Sequence, residues 1–431
     1  MNLLTAENLS KSFNTDKILF DNISLGINEG DKIGLIGING TGKSTLLKIL
    51  AGEEEADSGK LTKGNAVRIA YLPQNPEFDE GESVISEVIK GKKAKNEFWD
   101  IEGEARSLLA KFEIEDVEAK VATLSGGQKK RAALVRTLLD DAEILILDEP
   151  TNHLDTAMSE WLEDYLKKMK QALLIITHDR YFLDQVTNRI VELSHGRLYS
   201  YVGGYLKYLE LKAEREEMEI ATERKNAAIF KKDLAWMMRG ARARSTKQKA
   251  HIERFEELKN RDKIVVDKEI VVDSVSSRLG KQIIEIENIS KAYGDKTLFA
   301  DFTYLFRRID RIGIIGKNGS GKSTFLTTIL GEVAPDSGNI IIGQTAKIGY
   351  FSQDSGELDP SQTVIESAKD IAEYVQTKDG TISASKMLER FLFEGAMQYT
   401  KIEKLSGGER RRLALLHTLI SAPNILILDE P

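Results

Sequence analysis

The sequence has no cysteine, which excludes disulfides, thiolate metal sites and cysteine nucleophiles together. It has only 7 prolines in 431 residues, too few for a proline-rich linker or a disordered low-complexity chain. Long apolar runs are missing as well: none exceeds five residues, whereas a bilayer span takes about 20. The opening MNLLTAENLSKSF lacks the basic flank and apolar stretch of a secretory signal, so the expected compartment is the cytoplasm, with no membrane partner. An excess of positive charge is also absent. Lys and Arg number 61 against 68 Asp and Glu, a net charge of −7, so any affinity for nucleic acid must come from local clustering.

What is present fits a folded protein. Hydrophobic residues make up 41% and charged residues 30%, and 431 residues allow about three compact units at roughly 150 residues each.

The chain reads twice. GINGTGKST at 37 to 45 returns as GKNGSGKST at 316 to 324, LSGGQ at 124 as LSGGE at 405, and EILILDEP at 143 as NILILDEP at 424. Lys43 and Lys322 are 279 positions apart, as are Gln74 and Gln353; Ser125 and Ser406 are 281 apart, as are Asp148 and Asp429. ENLSKSF at Glu7 matches ENISKAY at Glu287, which starts the second copy near Gln282. The expected division is a first domain over 1–202, a charged helical linker over 203–280 and a second domain over 281–431. TNHLD at 151 and THD at 177 should recur near 432 and 459, so about 50 residues of the second copy are expected to be missing and the chain reads as a fragment.

Each GxxxxGKS follows an apolar β-like run, DKIGLIG or DRIGIIG, and precedes a helix-like one, the context of a phosphate-binding loop. In the first copy the loop is Gly37, Ile38, Asn39, Gly40, Thr41, Gly42, Lys43, Ser44 and Thr45; in the second it is Gly316, Lys317, Asn318, Gly319, Ser320, Gly321, Lys322, Ser323 and Thr324. Glycines let backbone N–H groups point at phosphate oxygens, and the helix offers its positive N-terminus. Lys43 and Lys322 then neutralise the β and γ phosphates, and Ser44 and Ser323 are expected to ligate Mg²⁺.

Asp148 and Asp429, each ending an apolar strand, suit the carboxylate that holds hydrated Mg²⁺. Glu149 and Glu430, next in line, are candidate general bases for an attacking water. His178 is placed either to orient that water or touch the γ phosphate, or as a structural residue after a strand. Ser125, Gly126, Gly127 and Gln128, with Ser406, Gly407, Gly408 and Glu409, offer a hydroxyl and glycine amides at a helix start; they are either a second anion cradle or simple helix caps. Two complete loops and two extra cradles suggest two domains face to face, each presenting its Ser-Gly-Gly to the other's nucleotide, with two ATP at the interface.

These motifs in this order resemble ATP-binding cassette ATPases over essentially both copies. Two cassettes in one chain, without membrane spans and joined by a charged linker of about 80 residues, resemble the ABC-F group of translation factors. The linker wording FKKDLAWMMRGARARSTKQKAHIERFEEL is most similar to the Uup-like branch. The resemblance implies an α/β fold of two tandem P-loop NTPase cassettes joined by a helical hairpin, the second truncated. It implies ATP hydrolysis with Mg²⁺, adenine stacking by Phe13 and Tyr293, and sensing of Mg²⁺ and γ phosphate by Gln74 and Gln353. Partners would be the ribosome and tRNA, the working unit an intramolecular cassette pair in a monomer.

From Phe230 to Ala250 seven basic residues face one acid, a net of +6, with Arg239, Arg242, Arg244, Lys247 and Lys249 around a turn expected near Gly240. This tip is either an RNA-binding surface or a solvated hairpin whose charges keep it soluble. Trp236, Met237 and Met238 pack the hairpin or lie against RNA. Two rival functions remain at this stage: a DNA-binding or repair ATPase, whose basic tip meets another phosphate backbone, and the energy subunit of a transporter.

Overall fold

The computed structural model describes residues 1–14, 17–38, 40–92, 100–238, 280, 282–294, 296–317, 319–352, 358–377 and 380–429. They belong to two compact units, Met1–Val266 and Asp267–Pro431.

The first unit opens with β1 (Asn2–Asn14), β2 (Lys17–Asn28) and β3 (Lys32–Ile36), followed by α1 (Lys43–Ala51), β4 (Ser58–Lys63) and β5 (Ile69–Leu72). Three helices come next, α2 (Val84–Ile89), α3 (Ile101–Lys111) and α4 (Gly126–Leu138). The chain then alternates through β6 (Ile144–Asp148), α5 (Thr156–Lys168), β7 (Ala172–Ile176), α6 (Arg180–Val186), β8 (Arg189–Ser194) and β9 (Arg197–Val202) before α7 (Tyr205–Met238). Strands order as β5-β6-β7-β3-β8-β9, parallel except for the β8–β9 hairpin, beside an antiparallel sheet β2-β1-β4.

Apolar composition explains why β6 and β7 lie in the middle. Every residue of both is buried, as a strand covered on two faces requires. Alternate side chains serve opposite cores. Ile144, Ile146 and Leu174 join Leu4, Phe20, Ile33 and Leu46 between the two sheets and α1. Leu145, Leu147, Leu173 and Ile175 join Phe112, Leu134 and Leu162 under the helices. The period of two along each strand thus builds two cores from one run of aliphatic residues.

The helix read from the charged, glycine-poor stretch is α7, 34 residues long. Its root is tied to the sheet by a buried acid. Glu192 on β8, 3% exposed, accepts from Tyr201 and Tyr208 hydroxyls at 3.2 Å each and from Lys212 Nζ at 2.6 Å. Arg215 lies 3.1 Å from the same carboxylate, its guanidinium 3.8 Å over the Tyr199 ring. Burial alone would lower the Lys212 ammonium, but the hydrogen bond and charge of Glu192 raise it, so Lys212 stays protonated.

The second unit comprises β10 (Ile284–Tyr293), β11 (Lys296–Leu305), α8 (Lys322–Leu330), β12 (Ser337–Ile342), β13 (Ile348–Phe351), α9 (Val364–Ile371), β14 (Tyr374–Thr377), β15 (Gly380–Ser383), α10 (Ala384–Arg390), α11 (Gly407–Ile420) and β16 (Ile425–Leu428). It repeats the antiparallel sheet as β11-β10-β12, and β13 pairs in parallel with β16 as β5 does with β6.

One expectation fails here. DRIGIIG, the counterpart of β3, forms no strand: Ile312 and Ile314 are 50% and 41% exposed, where their counterparts Ile33 and Leu35 are fully buried. In the first unit β3 is hydrogen-bonded on one side to β7 and on the other to β8. Among the described residues no strand pairs with the DRIGIIG run, so it has no ladder to join.

Replacing Glu192 by Ala would take the acceptor from Tyr201, Tyr208 and Lys212 and the countercharge from beside Arg215. The expected cost is about 3–5 kcal/mol. A lower urea midpoint and faster amide exchange in β8 and in the first turns of α7 would report it; an unchanged midpoint would contradict the anchoring role.

Candidate nucleotide-binding site

Between β3 and α1 the chain must turn within a few residues and aim its amides inward. Gly42 caps α1 with φ 96°, and a Cβ there would lie 2.9 Å from Leu19 Cβ. Gly321 repeats the geometry at φ 98°, 2.9 Å from Leu298 Cβ. Both conformation and space therefore demand glycine. Lys43 Nζ donates to the carbonyls of Gly37 at 2.7 Å and Ile38 at 3.0 Å; Lys322 does the same to Gly316 at 2.9 Å and Lys317 at 3.0 Å. Each ammonium is thereby held across its own loop. The two loops agree although only the first adjoins a strand.

In the first unit β6 delivers Asp148 beside this loop, and Ser44 is hydrogen-bonded to its carboxylate. Asp148 is 3% exposed, and its Oδ2 is buried without a hydrogen-bond partner. Burial raises its pKa, opposed by the Ser44 hydrogen bond and the Lys43 charge. The same burial lowers the Lys43 ammonium, with Glu149 and Asp148 opposing. A carboxylate and a hydroxyl are oxygen donors of the kind a hard divalent cation takes. Thr45 follows in the first turn of α1, and exposed Gln74 lines a cleft with Arg131, Asp148, Glu149 and Asn152. Asp429, just after β16, is 8% exposed and donates its backbone N–H to Phe351 at 2.9 Å. Ser323 and Thr324 open α8.

Glu149 sits at φ 55°, an uncommon conformation for a residue with a side chain, and its N–H donates to the Ile176 carbonyl at 2.8 Å. Its carboxylate accepts from the His178 backbone amide and lies 3.3 Å from His178 Nε2. The Glu149 side chain is 8% exposed and His178 67%. Burial, then the Asp148 charge, push the Glu149 carboxyl up to about 7, while burial lowers His178. An acid with such a value at a phosphate loop has the properties of a proton acceptor.

Ser125 caps α4, accepting from Gln128 N at 3.3 Å while the Gln128 side chain accepts from Ser125 N at 2.9 Å. Ser406 and Glu409 form the same capping box on α11, with φ −63° and ψ 160° at both serines. The helix-cap reading is realised twice, and it leaves the first-turn amides of Gly126, Gly127, Gly407 and Gly408 without intrahelical partners. Tyr293 is 56% exposed with Lys291 Nζ 5.6 Å above its ring; Phe13 lies in β1. Loop residues Gly40, Thr41, Gly319 and Ser320 occupy the turns before Gly42 and Gly321. Asn39, Arg239, Arg242, Arg244, Lys247, Lys249, Asn318, Gln353 and Glu430, with the expected hairpin turn, lie outside the described residues.

Sequence reading passed over two hydroxyls. Thr151 Oγ1 and Thr177 Oγ1 are 2.6 Å apart, joining the loop after β6 to the loop after β7. Both lie inside TNHLD and THD, motifs in which the residue types alone point to His178.

Glu149→Gln is expected to retain ATP binding and lose about 10²- to 10⁴-fold in phosphate release, the share of a general base. In the parent protein kcat/KM, which reports the free enzyme, should fall as pH drops through about 7, because the carboxyl is protonated below that value. A flat profile between pH 6 and 8 would contradict this.

The family model described as ABC transporter matches residues 20–152 and 300–431, and a companion ABC transporter model matches 191–272. The chain is 46% identical over 468 aligned residues to the "Uncharacterized ABC transporter ATP-binding protein YfmR" of Bacillus subtilis, covering 100% of this chain and 74% of that protein. It is 36% identical over 452 residues to the "Energy-dependent translational throttle protein EttA" of Escherichia coli, covering 96% and 81%. The Mycobacterium tuberculosis protein of the same name is 35% identical over 456 residues with the same coverage. With two matched nucleotide domains, paired phosphate loops and these relatives, the chain belongs to the ATP-binding cassette family, in its ABC-F group, and is an ATP-binding ATPase.

Proposed function

We propose that this protein is a translation factor that binds the ribosome, contacts tRNA through the segment between its two cassettes, and is switched by ATP. The carrying observation is that the match to the translational throttle proteins extends over 96% of the chain, taking in the linker as well as both nucleotide domains. That linker holds the net +6 stretch in a chain of net charge −7. Its cations suit an RNA backbone, with Arg239, Arg242, Arg244, Lys247 and Lys249 as the contacting residues. The place of work would be the cytoplasm, and the working unit a single chain.

Chemistry at the first loop follows from its residues. Backbone amides of Gly40 to Lys43 and the Lys43 ammonium take the phosphate charge. Ser44, Asp148 and Gln74, with Ser323, Asp429 and Gln353 in the second copy, would hold Mg²⁺, which would supply positive charge to offset that on the phosphates. Glu149 accepts a proton from the attacking water, while His178 orients that water or touches the γ phosphate; Glu430 is the corresponding base. Phe13 and Tyr293 stack on adenine.

ATP moves the domains only if it binds the closed arrangement more tightly. Ser125 to Gly127 and Ser406 to Gly408, each reaching the other cassette's nucleotide, supply that difference. Turning a 1:99 equilibrium into 99:1 needs about 10⁴-fold, or about 100-fold from each of two sites. Through its Glu192 anchor α7 moves with the first unit, so closure repositions the linker.

Co-sedimentation with ribosomes tests the reading. With Glu149→Gln and Glu430→Gln together, ATP-dependent retention should rise; unchanged sedimentation would sink it. Arg242→Ala with Arg244→Ala should weaken retention and flatten its salt dependence by about one log unit per log unit of salt for each lost contact. Preference for branched DNA over ribosomes in competition would favour the repair reading instead.

A further inference from the structure

The loop carrying Glu149 and the loop carrying His178 are two separate chain segments, yet hydrolysis needs their side chains at a set separation. Backbone pairing ends just short of them: β6 and β7 pair through Asp148 and Ile176, and the Glu149 N–H bonds the Ile176 carbonyl. Past that point the segments are joined through side chains. Thr177, 5% exposed, accepts from the Asp179 N–H at 3.1 Å, which folds its own loop under His178. Its hydroxyl meets that of Thr151 at 2.6 Å, two residues after Glu149. The Thr151 carbonyl in turn accepts from Leu154 N at 3.2 Å, and Asn152 N donates to the Glu149 carbonyl at 3.3 Å, so the first loop is braced around the same point.

We propose that Thr151 and Thr177 are positioning residues for ATP hydrolysis: their paired hydroxyls clamp the two loops and so hold the Glu149 carboxylate against the His178 amide and imidazole. Neither touches nucleotide in this role. The clamp acts through Glu149, whose φ of 55° leaves it reliant on outside support to stay in place. A buried hydroxyl always needs a partner, so satisfaction alone is no sign of function. Here, however, each hydroxyl's partner is the other catalytic loop. A shift of about 1 Å at a reacting group can cost about 10²-fold in rate, so a small slackening is measurable.

Valine keeps the shape of threonine without the hydroxyl and serine keeps the hydroxyl. Thr177→Val is expected to lower kcat about 10- to 100-fold with KM for ATP within about 3-fold, and Thr177→Ser to stay within about 3-fold of the parent. Thr151→Val should behave as Thr177→Val does, and the double valine variant should be no slower than either single one, because one contact is lost in all three. Equal kcat in Thr177→Val and the parent, or losses that multiply in the double variant, would overturn the clamp. Should Thr177→Val fail to fold, Thr151→Val and Thr177→Ser decide by the same criteria. The inference rests on Glu149 as the base. In a Glu149→Gln background Thr177→Val should cause no further loss. If Glu149→Gln itself hydrolyses ATP normally, the base assignment falls and the clamp with it; if Glu149→Gln is inactive but Thr177→Val is fully active, only the clamp falls.

Discussion

A phosphate loop spans the end of a strand and the start of a helix, and in the first unit that strand is hydrogen-bonded on both sides. β3 pairs with β7 through Lys32 to Gly34 and with β8 through Ile33 to Ile36. A Cβ at Gly37 would fall 2.4 Å from the Leu193 carbonyl, so the loop leaves the sheet pressed against β8. The second unit shows which part of this arrangement is local. Its loop keeps the left-handed conformation of the last two glycines, Gly319 and Gly321, and the lysine-to-carbonyl bonds, while the preceding apolar run is exposed and forms no ladder. Loop geometry is set by glycines within a few residues of one another; a parallel strand exists only where neighbours from far along the chain supply its hydrogen bonds.

Buried acids divide by how fully they are partnered. Glu192 has four cationic or hydroxyl groups around it, and such a site serves anchoring: the sheet strand beside β3 becomes continuous with the root of α7. Asp148 and Glu149 are buried to a similar degree, yet each keeps an oxygen without a hydrogen-bond partner. Unmet acceptors in a dry site cost stability, and the cost is tolerable where a cation or a water's proton is to be received. Mutual repulsion between the adjacent carboxylates adds to burial in holding Glu149 up to about 7. Lys43, lowered by the same burial, offsets part of that charge.

The capping boxes at Ser125 and Ser406 realise the helix cap without closing off the first-turn amides, so a cap does not preclude an anion cradle. The serine oxygen accepts from the third residue of the helix while the glycine amides of the first turn remain open. Identical backbone angles at both serines, in units whose sheets differ in extent, mark these turns as locally encoded.

Short-range chemistry was therefore legible in the sequence: the doubled motif order, glycine-dictated loops, the caps, the long polar helix and the fully apolar strands β6 and β7 all depend on residues within about ten positions. Tertiary structure alone decided the rest. That Glu192 is an anchor depends on Lys212 and Arg215 from another element, and that Glu149 titrates near neutrality depends on its depth beside Asp148. Thr151 meeting Thr177 across 26 positions, and the run at 310–316 failing to become a strand, have the same origin. Desolvation and strand pairing are properties of what surrounds a residue, and a sequence names the residue without its surroundings.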